Sequence, residues 1–196
     1  RSRGTGSLRL MPLLVAALDA NTLVPILSYD FLLTAFDHGL YEPVASTTTI
    51  AEIERNLIED FPQLDPASLR RRVEQMRATL ADHIVDAGSV DGVPEVINPR
   101  DRHVIAAALA GEASVVVTND QRLRSETSEA EIGMEPMSGD DFAAHLLRLV
   151  PDDVDEVLST LAAKRTKRPV TTVELVDALR GPFPTMAAAW LNARRG

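Results

Sequence analysis

A chain of 196 residues, 45% hydrophobic and 25% charged, has room for one core and a small appendage but not for two large domains. With 29 acidic against 20 basic residues and a formal net charge of -9, it lacks the broad cationic surface that coats nucleic acid, so contacts to phosphates must come from local patches. Cysteine is absent, which excludes disulfides, thiolate metal sites and a cysteine nucleophile and suits a reducing cytoplasm, and the longest apolar runs, such as Leu13 to Leu18, are far shorter than a membrane span.

The basic, small-residue stretch from Arg1 to Ser7 lacks the apolar segment and cleavage site of a secretory signal, and residues 1–10 read as a tag remnant or flexible arm. Leu13 to Leu18 is a continuous apolar run ended by Asp19, the pattern of a parallel strand buried on both faces. A helix is expected from about Pro25 to His38, stopped by Gly39, and Glu42 to Ala45 reads as a short strand. Thr49-Ile50-Ala51-Glu52 has capping-box spacing and places a helix start near Thr49, with Ile50, Ile53, Leu57 and Ile58 at helical intervals. Asp65-Pro66 is an N-cap followed by proline at the first helical position; the helix it opens runs to about Ala81, with Leu69, Val73, Met76 and Leu80 on one stripe and Arg70, Arg71 and Arg72 off it.

Ile84-Val85 reads as a strand and residues 88–98 as a loop. Asn98-Pro99 repeats the cap-plus-proline device and is expected to launch a helix through Val104, Ile105 and Ala108 to Gly111. Val115 to Thr118 is a second buried strand, ending at Asn119-Asp120. Beyond Met134 helices are expected to open at Ser138, Pro151, Thr171 and Thr185, with a basic connector from Lys164 to Arg168. Alternating strands and helices imply an α/β domain with a central parallel sheet and right-handed crossovers over residues 11–148, and a helical C-terminal extension over residues 149–196.

Two buried strands therefore end in acids, Asp19 and Asp120, and ligand sites in open parallel sheets gather at strand carboxyl ends. Glu52 and Asp101 fall in the first turns of expected helices that face the same edge. Carboxylates brought together need a cation, a proton or an arginine to offset their repulsion, and a hard divalent ion such as Mg2+ suits an all-oxygen donor set. The chemistry this suggests is phosphodiester hydrolysis. Each acid alone has a structural explanation too: Asp19 as a helix cap, Glu52 as the return partner of Thr49, Asp101 as the third residue after the Asn98 cap, Asp120 in an Asx-turn. Those explanations do not account for acids on two buried-strand ends, nor for Asn21 and Thr118 beside them.

Four segments carry a resemblance: Leu18-Asp19-Ala20-Asn21-Thr22-Leu23, Glu52 to Leu57, Asn98-Pro99-Arg100-Asp101-Arg102-His103-Val104, and Val116-Val117-Thr118-Asn119-Asp120. In order and spacing, over residues 12–147, they resemble the PIN-domain ribonucleases, in particular the VapC-type toxins of bacterial toxin-antitoxin pairs. The resemblance implies a three-layer PIN-like domain and a Mg2+- or Mn2+-dependent endoribonuclease whose acidic site comprises Asp19, Glu52, Asp101 and Asp120, with Asp19, Asp101 and Asp120 as metal ligands. It also implies that Asn21 and Thr118 orient those acids, that Asn119 can share the role of Asp120, and that Glu52 rather than Glu54 points into the cluster. RNA as substrate, a cognate antitoxin and a second copy of the chain follow as partners, with no membrane association.

Arg100, Arg102 and His103, which flank Asp101, are candidates for meeting RNA, although surface arginines and a core-edge histidine are the simpler reading. His38, His83, His103 and His145 show no metal-binding spacing. Phosphotransfer enzymes with acidic strand ends would need an aspartate where Asn21 stands or a lysine near the site, and no lysine precedes Lys164. Neither phosphate-binding glycine motif, G-x-x-x-x-G-K-[ST] or G-x-G-x-x-G, is present. The alternative is a catalytically inactive PIN-like module that binds a protein partner.

Overall fold

A computed structural model describes residues 14–89 and 91–194, and the expected arm over residues 1–10 lies outside them. Strands β1 (Val15–Leu18), β2 (Glu42–Ser46), β3 (Ile84–Val85), β4 (Val115–Val117) and β5 (Glu135–Met137) form one parallel sheet in the order β3-β2-β1-β4-β5. Between and after them come α1 (Ala20–Leu23), α2 (Ile26–Asp37), α3 (Thr47–Asp60), α4 (Pro66–Thr79), α5 (Arg102–Ala110), α6 (Gln121–Glu129) and α7 (Gly139–Leu149). Helices α8 (Pro151–Ala163), α9 (Thr172–Leu179) and α10 (Pro184–Ala193) complete the described chain.

The period-2 alternation of the strands divides the core. Ala16, Leu18, Val115 and Val117 point into a large cluster with Phe31, Ile50, Ile53 and Phe142, while Ala17 and Val116 point the other way, onto Val104, Ile105 and Ala108 of α5 and Leu123 of α6. This is the expected three-layer α/β arrangement. Burial on both faces explains why β1 and β4 are apolar runs and not alternating strands. The C-terminal helices join the larger cluster through Val157, Leu161, Leu175, Met186 and Trp190, α8 packing on α2 and α10 on α7. Phe183, at the head of α10, meets Phe31 at 5.2 Å between ring centroids. Among the described residues no helix is long and apolar enough to cross a membrane.

Helix punctuation is mostly as the sequence suggests. Asp65 caps α4, Ser138 caps α7, and Thr171 with Glu174 forms a complete capping box on α9. Gly39 takes the left-handed conformation, φ +73°, that ends the α2 segment. At Gly111 a Cβ would run into Val44, so glycine there lets the end of α5 press against β2.

Two helix starts differ from expectation. Helix α3 begins at Thr47, capped by Ser46, whose hydroxyl oxygen accepts the Thr49 N–H at 2.8 Å. Ser46 closes β2 in register with Val85, so the sheet decides which hydroxyl of the Ser46-Thr47-Thr48-Thr49 run becomes the cap. Glu52 is thereby moved from the first turn to the second and is not a capping-box partner. Helix α5 begins at Arg102, because Asn98 closes a separate turn: its Oδ1 accepts the Arg100 N–H at 3.0 Å and its carbonyl accepts the Asp101 N–H at 2.9 Å. Asp101 then holds the N-cap position with a side chain that caps nothing.

Candidate active site at the carboxyl edge of the sheet

From β1 the chain builds outward to β2 and β3 on one side, and from β4 to β5 on the other. A crevice opens at the carboxyl ends of the two strands that flank such a reversal. Leu18 is in register with Val117, so Asp19 and Thr118-Asn119-Asp120 emerge side by side, and the Asp19 N–H donates to the Val117 carbonyl at 3.0 Å.

Asp19 is 8% exposed and surrounded by donors. Its Oδ1 accepts the Ala20 N–H at 2.7 Å; its Oδ2 accepts from Asn21 Nδ2 at 2.6 Å and from the Thr118 hydroxyl at 2.7 Å. With its one proton directed at Asp19, the Thr118 oxygen accepts from the Asp120 N–H at 3.0 Å and from Asn21 Nδ2 at 3.2 Å. Asn21 Oδ1 accepts the Asn119 N–H at 2.8 Å, and Asn119 Oδ1 accepts the Gly139 N–H at 3.0 Å. Asn21, Thr118 and Asn119 thus tie the two strand ends together around one buried carboxylate. Burial pushes the Asp19 carboxyl above its ordinary range, and the charge of Glu52 adds to this; hydrogen bonds from Thr118 and Ala20 and the nearby His103 oppose it.

Glu52, on α3, lies beside His103, with Oε2 3.4 Å from His103 Nε2. His103 Nδ1 is 2.9 Å from the Ser46 hydroxyl and 3.4 Å from that of Thr49. Both ring nitrogens are therefore engaged, and the imidazole braces Glu52 against the start of α3. Glu54 faces elsewhere, toward Arg77 of α4 at 3.7 Å.

Asp101 and Asp120 meet at an arginine that the sequence reading passed over. Arg122 Nη2 lies 2.6 Å from Asp101 Oδ2 and 3.8 Å from Asp120 Oδ2, while its Nε is 3.6 Å from Glu126 Oε1. Asp120 also caps α6, accepting the Arg122 N–H at 2.7 Å, so its structural reading is realised as well. A signal for Arg122 was present: it is the second residue of a helix that starts at an acidic cap, where a cation opposes the helix dipole unless acids hold it.

The acids thus stand in two groups, Asp19 and Glu52 with His103, and Asp101 and Asp120 with Arg122, joined through Thr118. Among the described residues no group of three or more His, Asp or Glu side chains is arranged to hold a metal ion. The donor chemistry, carboxylates supported by hydroxyl and amide groups with no thiolate in the chain, fits a hard divalent cation. Of the flanking cations, Arg102 donates to the carbonyls of Pro94 at 2.9 Å and Val93 at 2.7 Å and so braces the preceding loop, whereas Arg100 is exposed. An apolar groove of about 480 Å³ adjoins Asn119, lined by Ile26, Leu27 and Phe61 and bordered by Gly181 and Pro182 of the C-terminal helices.

No curated protein and no solved structure matches the chain. A family model described as PIN domain matches residues 16–122, more than half of it. That span contains Asp19, Glu52, Asp101 and Asp120. The chain belongs to the PIN-domain family, whose members are typically nucleases.

Proposed function

We propose that this protein is a divalent-metal-dependent endoribonuclease that hydrolyses RNA phosphodiester bonds at the carboxyl edge of its sheet. The observation that carries the reading is the buried Asp19 carboxylate, held by Thr118, Asn21 and Ala20 where β1 and β4 end together. Asp19 does cap α1 through the Ala20 N–H, but capping one short helix does not require a carboxylate taken out of water at a cost in desolvation beside a second acid, an arrangement that suits a cation ligand.

In this reading Asp19, Asp101 and Asp120 hold Mg2+ or Mn2+, and Glu52 completes the acidic set. When bound, the ion supplies a Lewis acid and a nucleophilic water near neutral pH. The protein's own work is positioning. Thr118 and Asn21 fix the rotamer of Asp19; the Ser46–His103 contact steadies the imidazole that abuts Glu52. Beside Asn119, the groove formed by Ile26, Leu27 and Phe61 offers an apolar wall to an unpaired base, the part of RNA most readily read by a protein surface. The toxin role extends the resemblance of the four motifs and brings with it a cognate antitoxin and a second copy of the chain as partners, in a cytoplasmic setting.

The second reading, an inactive PIN-like module that binds a protein, draws on the Asp101–Arg122 ion pair, which already neutralises one of the acids. Incubation with total cellular RNA separates the two. The nuclease reading expects cleavage with Mg2+ or Mn2+ that stops on chelation, and it expects cleavage to persist where the 2′-hydroxyl at the cut site is replaced by hydrogen, since water is the nucleophile. Intact RNA at every metal concentration would leave the binding module as the better account.

A further inference from the structure

The side chain of Arg122 is 51% exposed, and its ion-pair partners are acids on three different segments: Asp101 before α5, Asp120 before α6 and Glu126 within α6. It stands at the positive end of α6, so the acids and not the helix keep it there. Exposed ion pairs of this kind are weak and exchange readily with ions from solution. A cation on Asp101 Oδ2 would sit about 2.1 Å from an oxygen that now faces the guanidinium at 2.6 Å, and the two positive charges would repel at close range.

We infer that Arg122 is a counter-ion built into the acidic edge: it neutralises Asp101 and Asp120 while no cation is bound, and a divalent cation must displace it from Asp101, so that Arg122 sets the metal affinity of the site. The inference rests on the metal-dependent reading above and adds to it a residue outside the acidic set. Glu126 has the geometry of a tether, with Oε1 3.6 Å from Arg122 Nε and Oε2 accepting the Asn98 N–H at 2.8 Å, so the displaced side chain stays at the rim of the site.

The test is Mn2+ binding to the purified full chain, read as free Mn2+ by electron paramagnetic resonance at fixed pH and ionic strength. Removal of one unit charge a few ångström from a divalent ion in a water-like dielectric corresponds to roughly three- to tenfold in affinity, so Arg122→Gln binds Mn2+ tighter by that factor. Arg122→Lys, which keeps the charge but loses the planar fork, stays within about twofold of wild type. Arg77→Gln, which removes an exposed arginine that pairs with Glu54, leaves the affinity unchanged. Equal or weaker binding by Arg122→Gln, or no Mn2+ bound by any form, overturns the inference. Failure of both Arg122→Gln and Arg122→Met to fold, read by far-ultraviolet circular dichroism, makes Arg122 a structural tie and overturns it too. Absence of RNA cleavage in the same preparations would count against the nuclease reading and leave the Mn2+ result standing.

Discussion

Replacing Thr118 by valine keeps the shape of a fully buried side chain and removes one hydroxyl that takes part in three hydrogen bonds. The bond to Asp19 is charge-assisted, and such bonds contribute about 1.5–3 kcal/mol. The Asp120 N–H loses its side-chain acceptor, adding about 1 kcal/mol, while Asn21 Nδ2 keeps Asp19 Oδ2 at 2.6 Å and loses little. Thr118→Val is therefore expected to destabilise the fold by about 2.5–4 kcal/mol, a fall in Tm of roughly 5–16 °C for a chain of this size. Thr127→Val is the matched comparison: Thr127 is equally buried, but its hydroxyl only bonds back to the Leu123 carbonyl within α6, and its loss should cost under about 1 kcal/mol. Urea unfolding followed by circular dichroism measures both. If Thr118→Val falls within about 0.5 kcal/mol of Thr127→Val, the hydrogen-bond account of the strand ends is wrong. Where the variant is still folded, loss of the group that orients Asp19 should lower RNA cleavage by about 10–100-fold.

Two further outcomes follow from other parts of the molecule. Hydrogen bonds from the Ser68 hydroxyl and the Ala67 N–H hold the Asp65 carboxyl below its usual range, so its contribution is fully present above the unfolded pKa of about 3.9 and is lost as pH falls through the lower folded value; the stability gap between wild type and Asp65→Ala should be constant near neutrality and close in acid, and a gap that widens in acid would refute this. Trp190, the single tryptophan, donates its Nε1–H to Asp155 at 2.6 Å under the Arg194 guanidinium, in the core shared with the sheet. Its fluorescence should change at the same urea concentration as the circular dichroism, and an earlier fluorescence transition would mean that α8 to α10 unfold by themselves.

Much of the architecture was legible because burial writes simple patterns. Apolar runs closed by Asp19 and by Thr118-Asn119-Asp120 mark strands covered on both faces, and Asp65-Pro66, Ser138 and Thr171 mark helix starts through local hydrogen bonds that need no tertiary context. Asn21 and Thr118 stood out as small polar neighbours of the acids, but their role in orienting Asp19 was legible only through the family resemblance, since the Thr118 contact joins strand ends far apart in the chain. The starts of α3 and α5 were not, because several residues in each run can cap a helix and the sheet register and the Asn98 turn make the choice. Two elements had no readable pattern: α6 buries only Leu123 and Thr127, so no apolar stripe exists, and β5 is a three-residue strand containing proline at the edge of the sheet. Arg122 and the bracing of Glu52 by His103 depend on how α3, α5 and α6 converge, which periodicity does not encode.

The central claim is that the acidic edge at the ends of β1 and β4 cleaves RNA, and the most direct measurement is cleavage of total RNA by wild-type and Asp19→Asn proteins side by side, with Mn2+ present and folding of both verified by circular dichroism. The account predicts fragmentation by the wild type and a loss of at least about a hundredfold in the folded variant. Equal cleavage by the two proteins would contradict it.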